Sequence, residues 1–475
     1  MKRILTNNKV LFLALTIYIV FLLFFKLGDT YLTNWDEAWY GDISRNMMRS
    51  GNLVTPIFNR EPFFDKPPLY FWLTAFSFRM FGVSEFSQRF FSALSGVGTG
   101  ILVYCLARLL ANSYGGFISV FVLFSSVGFL YRARTGNLDT LLTFFILLSV
   151  VSFYKGYLKK SNKWFLLFGI SIGLGFLAKG VVSFLFPLVA SLYLLLLKDM
   201  ISLRKTITAV CLGIGIALSW VFVSYLANGE RFLSDFYTNQ TSKVYATPFF
   251  WANFSFDYIW HIKSGMKLWF LFLIPCIFYL TKKSKVNHYY LLLVVYFISF
   301  YVILLFSRIT SNWFLMPLYP IGALIIGIGV CNITSYYLGR KFLIPILFII
   351  VGISFFQQVR YKNEYIVPNV SFDEAQVAQA AKRLTNQDDV LYLTNYYFPT
   401  TIFYSNRKVY AVYSEQEENQ AWWVKPRTAW REILKGDRVF VATTREEFKN
   451  LSDYFSPYKF EILYQSGQKL LLKRV

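Results

Sequence analysis

Long apolar segments alternate with short polar segments along the first three quarters of the chain. A helix needs about 20 mostly apolar residues to cross a bilayer, and eleven segments come close to this length. They are residues 9–27, 88–111, 115–131, 137–155, 164–178, 181–197, 206–226, 267–281, 288–306, 314–332 and 341–357. A polar loop follows the first segment where a cleavage site would have small residues, so we expect an uncleaved anchor. The pattern predicts a mainly α-helical, polytopic membrane protein with about 11 transmembrane helices.

The composition agrees with this prediction. The chain has 475 residues, of which 56% are hydrophobic and 16% charged, whereas a soluble protein has roughly 45–50% apolar and 25% charged residues. This excludes a soluble enzyme, a disordered protein and a fibrous repeat. The net charge of +22 fits basic loops beside a membrane, and we expect no nucleic-acid partner.

Lysine and arginine are distributed unevenly over the loops. With the N-terminus in the cytoplasm, most basic residues of the short loops fall inside, and Arg132, Arg134, Lys179 and Arg308 fall outside. Of the acidic residues before position 361, only Asp199 falls inside. By the positive-inside rule we therefore predict a multi-pass protein of the cell (inner) membrane whose chemistry faces outward.

The composition changes after Gln357. Residues 361–475 contain no predicted span, open with a helix-capping pattern at Ser371 and Glu374, and continue with strand-like runs at 390–394, 408–413 and 438–443 and a hairpin around 466–467. We predict a transmembrane domain over residues 1–360 and a small extracytoplasmic α/β domain over 361–475.

The first outer loop, residues 28–87, is long and rich in aromatic residues. Trp39, Ile43 and Met47 recur every four residues, and Gly51 stands where a helix stop belongs. This predicts an amphipathic helix in the membrane interface plane. The alternative is a helix packed on the protein's own core. A second aromatic helix is predicted after Pro67 and Pro68.

Two aspartates are candidates for chemistry on the outer side. Asp36 follows the first span, and Asp139 lies in the stretch RARTGNLDTLL. A carboxylate at either place can act as a general base on a hydroxyl. Each can equally be a helix cap, since aspartate is favoured there.

Three outward cations are candidates for anion binding. Lys66 is next to Asp65 in FFDKPP, and the pair is either a phosphate contact or a surface ion pair of little energetic weight. Lys179 and Arg308 stand at the outer boundary against the charge trend, so each needs an anionic partner. A lipid phosphate and the nearby acids are the two possibilities.

These motifs carry a family resemblance. The first outer loop, NWDEAWYGDISRNMMRSGN through EPFFDKPPLYFWLTAFSFRMFGV, resembles that of GT-C glycosyltransferases related to protein O-mannosyltransferases and lipid A aminoarabinose transferases. The stretches RTGNLDTLLTFF, GLGFLAKG and SNWFLMPLYP resemble later signatures of the same group, so the resemblance covers roughly residues 9–330.

The resemblance implies inverting transfer of a sugar from a polyprenyl-phosphate donor to an acceptor hydroxyl of a protein, lipid or glycan. Asp36 matches the catalytic aspartate, Asp139 a second aspartate that orients the acceptor or assists, and Lys66 the lysine that holds the lipid phosphate. Asp65 and Glu37 are grouped with the substrate-binding residues, although a structural role is favoured for Glu37.

The chain also departs from the family pattern. The aminoarabinose transferases have an arginine where this chain has Trp39, and a later basic stretch keeps only Arg308. Lys179 and Arg308 are therefore predicted to supply the missing phosphate contact. With His261 and His288 as the only histidines, we predict no obligatory metal, and a divalent ion is not indicated.

Three other functions compete with sugar transfer. A transporter or flippase for a lipid-linked sugar would also have an outward polar cleft, but the sequence has no inverted repeat. An oligosaccharide ligase or polymerase would favour a larger outer domain. An assembly scaffold would not need acids and cations gathered on one side.

Overall fold

Helices form most of the chain up to Arg360. The structure, a computed structural model, describes residues 8–241, 255–284, 288–307, 310–366, 371–394, 398–414 and 423–475. In chain order the helices are α1 (Asn8–Phe24), α2 (Asp36–Ser50), α3 (Leu69–Phe81), α4 (Glu85–Leu110), α5 (Ser113–Ser125), α6 (Val127–Ala133), α7 (Leu138–Lys159), α8 (Asn162–Lys179), α9 (Leu185–Leu196), α10 (Met200–Thr241, broken at Gly229), α11 (Asp257–Met266), α12 (Trp269–Lys283), α13 (Tyr289–Leu305), α14 (Leu318–Ile333) and α15 (Leu343–Arg360).

Each of the eleven predicted segments coincides with one of these helices or with a helix pair. Within the described ranges, five helices are long and apolar enough to cross a membrane, or up to seven if each bent pair forms one span. Three more apolar helices, Lys9–Phe24, Val181–Leu196 and Tyr289–Leu305, are shorter. The chain is a multi-pass membrane protein, and the count of about 11 spans stays a prediction.

Two helix pairs are bent sharply, and one of them, α5–α6, falls within the single predicted span 115–131. Helices α5 and α6 meet at 74°, and α11 and α12 meet at 106°. Polar side chains form hydrogen bonds at these breaks. The indole of Trp269 donates to the Ser125 hydroxyl (2.7 Å), and the Leu268 amide donates to the Gln357 side chain (2.9 Å). The bends direct α6 towards the start of α7.

Helix α2 is buried on most of its surface. Ala38, Ile43 and Met47 are covered, and so are Asp42 and Arg45, which form an ion pair with each other. The structure therefore shows the alternative arrangement, a helix packed on the protein's own core, where an interfacial helix was predicted. A buried pair of opposite charges allowed a polar face to turn inward.

The C-terminal part is an α/β unit with a mixed sheet. Its strands β3, β4, β5, β6, β7 and β8 follow a short hairpin, β1–β2, in the first outer loop. The elements are β1 (Ile57–Phe58), β2 (Glu61–Pro62), α16 (Lys362–Tyr365), α17 (Phe372–Leu384), β3 (Val390–Leu393), α18 (Pro399–Ser405), β4 (Lys408–Ser414), β5 (Val424–Pro426), α19 (Trp430–Ile433), β6 (Phe440–Thr444), α20 (Arg445–Asn450), α21 (Ser452–Phe455), β7 (Phe460–Ser466) and β8 (Lys469–Arg474).

The strand order in this sheet is β5-β4-β3-β6-β8-β7. The first four strands are parallel, and β8 and β7 are antiparallel to their neighbours. The predicted strands and the final hairpin lie within two residues of the observed ones, whereas the short β5 and α18 were not predicted.

The C-terminal unit packs directly on the first outer loop. The Arg45 guanidinium donates to the Phe403 carbonyl and lies over the Phe403 ring. The Asn59 side chain forms two hydrogen bonds with the Val409 backbone, 2.8 and 2.9 Å long. Val409 and Ile43 belong to the same hydrophobic core. The helix that begins at Asp36 is thus held from the side by the C-terminal unit.

We predict that Arg45→Met lowers the thermal stability of the purified full-length protein strongly. The change leaves the Asp42 carboxylate buried without its cation, and breaking a buried pair from one side costs about 3–5 kcal/mol. The measurement is the unfolding midpoint in detergent. The control is Arg49→Met, because Arg49 is one turn further along the same helix and bonds Asn406 at the exposed surface. Equal midpoints for the two variants would contradict the packing described above.

Candidate active site

One cavity brings together residues that are far apart in sequence. It has a volume of about 410 Å³ and lies among the start of α2, residues 63–66, the start of α7, the end of α8 and residues 300–307 and 313–317. Its polar lining comprises Asp36, Tyr40, Asp65, Lys66, Asp139, Lys179 and Ser307, and its apolar lining includes Leu142, Val181, Val182, Phe300, Ile303, Leu304 and Phe306. The cavity therefore has a charged side and an apolar side.

The two candidate aspartates meet in this cavity through one arginine. Asp36 is the first residue of α2, and Asp139 lies in the first turn of α7, where Asn137 caps the helix by accepting from the Thr140 amide. The Arg132 guanidinium donates to Asp36 (3.1 Å) and to Asp139 (2.6 Å). Neither aspartate is a side-chain N-cap, so the capping alternative does not explain either one.

The Lys179 ammonium donates to the other oxygen of the Asp139 carboxylate. The result is an unbroken row of alternating charges, Asp36–Arg132–Asp139–Lys179, which we call the charge chain. The Asp36 side chain is 33% exposed, whereas that of Asp139 is only 5% exposed. Asp36 is therefore the carboxylate that the cavity leaves accessible.

Lys66 lies across the same cavity with Asp65 as its neighbour. The ammonium is 2.7 Å from an Asp65 oxygen, and both side chains are mostly covered, at 13% and 21% exposure. The ion pair exists, but it faces the cavity and is not a surface pair. The structure thus brings together Asp36, Asp65, Lys66, Asp139 and Lys179, as the sequence predicted.

The segment before α14 covers the cations of the charge chain. Arg132 lies 5.6 Å from the centre of the Trp313 ring, and Lys179 lies 5.2 Å from that of Phe314. Such cation–π contacts stabilise a cation most where water is excluded. The third cation predicted for anion binding, Arg308, lies outside the residues that the structure describes.

The structure corrects the grouping of Glu37 with the substrate-binding residues. Its carboxylate is 1% exposed and does not line the cavity. It accepts two hydrogen bonds from Arg89, at 2.8 and 3.0 Å, and others from the Thr33 and Gly136 amides. Burial would raise the pKa of Glu37, but the charge and hydrogen bonds of Arg89 outweigh it and hold that pKa below its usual value. Glu37 is a structural anchor for the loop.

Sequence reasoning missed Arg132 and Tyr40. Arg132 was noticed only as an outward cation, although it stands seven residues before Asp139 in a quoted motif. Tyr40 follows Asp36 by one helical turn and lines the cavity. Burial, and then the charges of Asp36 and Asp139, raise the pKa of Tyr40 well above its usual value. Its hydroxyl therefore stays protonated and able to donate.

The described residues contain no group of three or more histidines, cysteines or acids that could hold a metal ion. Asp36, Asp65 and Asp139 instead contact Arg132, Lys66 and Lys179.

Sequence comparisons find relatives that match part of this chain. Residues 65–225 match the family model described as dolichyl-phosphate-mannose-protein mannosyltransferase. An uncharacterised protein of Aquifex aeolicus is 31% identical over 320 residues, which cover 66% of this chain and 62% of that protein. The undecaprenyl phosphate-alpha-4-amino-4-deoxy-L-arabinose arabinosyl transferase of Wigglesworthia glossinidia brevipalpis is 31% identical over 207 residues, 42% of this chain and 36% of the relative. The matched regions thus span less than two thirds of these relatives.

Solved structures show the fold over the whole chain. ArnT from Cupriavidus metallidurans bound to undecaprenyl phosphate has a TM-score of 0.81 at 17% identity, covering 99% of this chain and 98% of ArnT. The apo oligosaccharyltransferase of Archaeoglobus fulgidus has a TM-score of 0.55 at 13% identity, covering 91% of this chain and 69% of the other. The matches confirm the predicted resemblance to protein mannosyltransferases and aminoarabinose transferases over part of the sequence. The chain has the fold of ArnT, with a small C-terminal sheet.

We predict that the ionised Glu37 makes the thermal stability of the protein depend on pH. A carboxyl group with a lowered pKa stabilises the folded chain fully above the ordinary value of 4.5, and this stabilisation is lost as the pH falls. The unfolding midpoint of the wild type should therefore begin to drop as the pH falls below about 4.5 and should continue to drop at lower pH. The unfolding midpoint of Glu37→Gln should be lower than that of the wild type at about pH 7 and should vary less with pH.

The matched control is Glu230→Gln, because Glu230 is exposed and bonds only the Tyr225 hydroxyl among the contacts described. Its profile should follow that of the wild type. A Glu37→Gln profile with the wild-type slope would contradict an ionised, anchored Glu37.

Proposed function

We propose that this protein transfers a sugar from a polyprenyl-phosphate-linked donor to an acceptor hydroxyl, with inversion at the anomeric carbon, on the extracytoplasmic face of the cell membrane. One observation carries the proposal: Asp36, Lys66 and Asp139 converge on a single cavity that also has an apolar side. Each part of the reaction has a matching group there. The donor sugar is a hexose or a pentose, and the acceptor is a protein, lipid or glycan.

Asp36 is the general base in this proposal. It is the more accessible aspartate of the charge chain, and it lines the same cavity as Asp65 and Lys66. As the acceptor oxygen bonds to the anomeric carbon, its proton passes to the Asp36 carboxylate. A base positioned in this way contributes about 10²- to 10⁴-fold to a rate.

Lys66 binds the leaving group. As the bond from the anomeric carbon to the phosphate oxygen breaks, its electron pair leaves with the polyprenyl phosphate, and negative charge grows there. A fixed ammonium in a site with little water stabilises that charge. Asp65 keeps the ammonium directed into the cavity, since the two groups are 2.7 Å apart.

Asp139 acts by holding the cations in place. Both of its oxygens are occupied, one by Arg132 and one by Lys179, so neither is free to accept a proton from the acceptor. Arg132 in turn fixes the Asp36 carboxylate. Holding the base and the phosphate contact in one enclosed geometry removes much of the entropic cost of bringing two substrates together.

The apolar side fits an isoprenoid. Phe300, Ile303 and Leu304 on α13 and Val181 and Val182 after α8 line it. Val181, Val182 and Ile303 are exposed, whereas Phe300 and Leu304 are buried. A lipid chain can therefore lie against hydrocarbon while its phosphate reaches Lys66. Two relatives of this chain are named as undecaprenyl phosphate-sugar transferases, which supports a donor of this kind.

We predict that Asp36→Asn retains binding of undecaprenyl phosphate and loses at least about 100-fold in turnover. The amide keeps the shape of the carboxylate but cannot take a proton. The measurement uses the purified full-length protein, undecaprenyl phosphate for binding, and sugar release from a panel of undecaprenyl-phosphate-linked hexoses and pentoses. Undiminished turnover in this variant would reject Asp36 as the base.

Two further variants complete the experiment. Lys66→Met should weaken the binding of undecaprenyl phosphate, because it removes the ammonium. Asp29→Asn is the control, since Asp29 is exposed, pairs with Lys26 at the surface and does not line the cavity. It should behave as the wild type in both assays. A wild-type protein that neither binds undecaprenyl phosphate nor releases any sugar would contradict the proposed function.

A further inference from the structure

Four aromatic side chains stand together at one border of the cavity. The ring centre of Trp39 is 5.8 Å from that of Trp35, 5.4 Å from that of Phe63 and 5.8 Å from that of Trp423. We call this set the aromatic wall. Trp39 and Phe63 line the cavity directly, and Trp35 is 49% exposed. The wall is therefore partly open, although its inner side packs on the hydrophobic core, where the buried Phe58 ring is 5.0 Å from that of Trp39.

The aromatic wall lies beside the reacting groups. Its residues differ from those of the apolar side of the cavity, which fits a lipid chain. Trp39 follows Asp36 by one helical turn, and Phe63 precedes Lys66 by three residues. The apolar side comes instead from α13 and from residues 181–182. The wall is thus close to the base and to the phosphate contact, between which the anomeric carbon must lie.

Trp39 places a large, electron-rich ring in the cavity lining. Trp35 has a backbone φ of 64°, a conformation that is unfavourable for a bulky side chain. The surrounding structure therefore holds this indole in place beside Trp39.

We infer that the aromatic wall is a saccharide subsite, in which a sugar ring lies with its C–H face against Trp39 and its hydroxyls towards Tyr40 and the cavity carboxylates. This inference rests on the proposed function and adds a substrate class to it. Ligand pockets combine an apolar surface with a few polar groups that fix orientation, and aromatic rings supply such a surface at low entropic cost. The sugar belongs either to the donor or to a glycan acceptor.

The protonated Tyr40 hydroxyl adds a donor to this subsite. The side chain is 6% exposed and lines the cavity near Asp36, Asp65 and Asp139. Carboxylates accept hydrogen bonds from sugar hydroxyls, and a phenol both donates and accepts. The polar groups required for a saccharide are therefore within the same cavity as the wall.

The test compares two ligands that differ only in the sugar. Dissociation constants are measured for undecaprenyl phosphate and for undecaprenyl phosphate carrying glucose, mannose or 4-amino-4-deoxy-arabinose. The full-length wild type is compared with Trp39→Ala, with Trp39→Phe, which retains a ring, and with Trp260→Ala. Trp260 is a control because it is 63% exposed and does not line the cavity.

A second arm examines the acceptor. The protein is saturated with the phosphonate analogue of the tightest sugar-bearing ligand, which cannot react, and methyl glycosides are then titrated with detection by NMR saturation transfer. If the donor sugar lies against the wall, Trp39→Ala weakens the binding of the sugar-bearing ligand about tenfold. The affinity for undecaprenyl phosphate alone is then unchanged. If an acceptor glycan occupies it, the first arm is unchanged and the glycoside signal is lost.

Trp39→Phe should lie between the wild type and Trp39→Ala in whichever arm responds, and Trp260→Ala should match the wild type. Unchanged binding in both arms would overturn the inference, as would an equal loss for ligands with and without sugar, since Trp39 would then contact the phosphate or lipid. Either result leaves the proposed function intact. Failure of the wild type to bind undecaprenyl phosphate would instead contradict the proposed function itself.

Discussion

The bridge from Arg132 to two carboxylates organises the cavity. Asp36 begins α2 and Asp139 begins α7, and without a shared cation these two negative charges would repel each other in a site with little water. Burying a charge is costly unless an opposite charge and hydrogen bonds compensate. Arg132 satisfies both acids at once, and Lys179 satisfies the remaining oxygen of Asp139. The geometry of the base thus depends on a residue that takes no proton itself.

The rest of the molecule keeps this bridge in place. The bend between α5 and α6 directs Arg132 towards the start of α7. The Glu37–Arg89 pair anchors the first outer loop one residue after Asp36. The C-terminal unit then packs on the side of α2 through Arg45 and Asn59. Three separate contacts therefore fix the start of one helix, which is consistent with a catalytic group that must be positioned accurately.

The sequence predicted which ionised residues lie in the cavity better than it predicted the contacts between them. Asp36, Lys66, Asp139 and Lys179 were found because charged side chains at an outer membrane boundary are rare and costly. Arg132 was not assigned a role, since its two partners are 96 and 7 residues away along the chain, and periodicity carries no information on such contacts. Glu37 was grouped with the substrate contacts because sequence does not show that Arg89 covers it.

For the fold, likewise, the sequence predicted the helices and most of the strands but not how they bend and pack. Apolar length located the helices, but it could not show the 74° and 106° bends, which depend on polar side chains from distant helices. The amphipathic pattern of α2 indicated an interfacial helix, because nothing in the sequence shows that Asp42 and Arg45 neutralise each other under the C-terminal unit. The strands of that unit alternate regularly and were found, whereas β5, with only three residues, was too short to be recognised.

The most direct measurement is a cryo-electron microscopy structure of the full-length protein with undecaprenyl phosphate in a lipid nanodisc. The account predicts density for the phosphate within hydrogen-bonding distance of the Lys66 ammonium, on the same side of the cavity as the accessible Asp36 oxygen, and isoprenoid density against Phe300, Ile303 and Leu304. A phosphate bound at another site, with this cavity empty under saturating lipid, would contradict it.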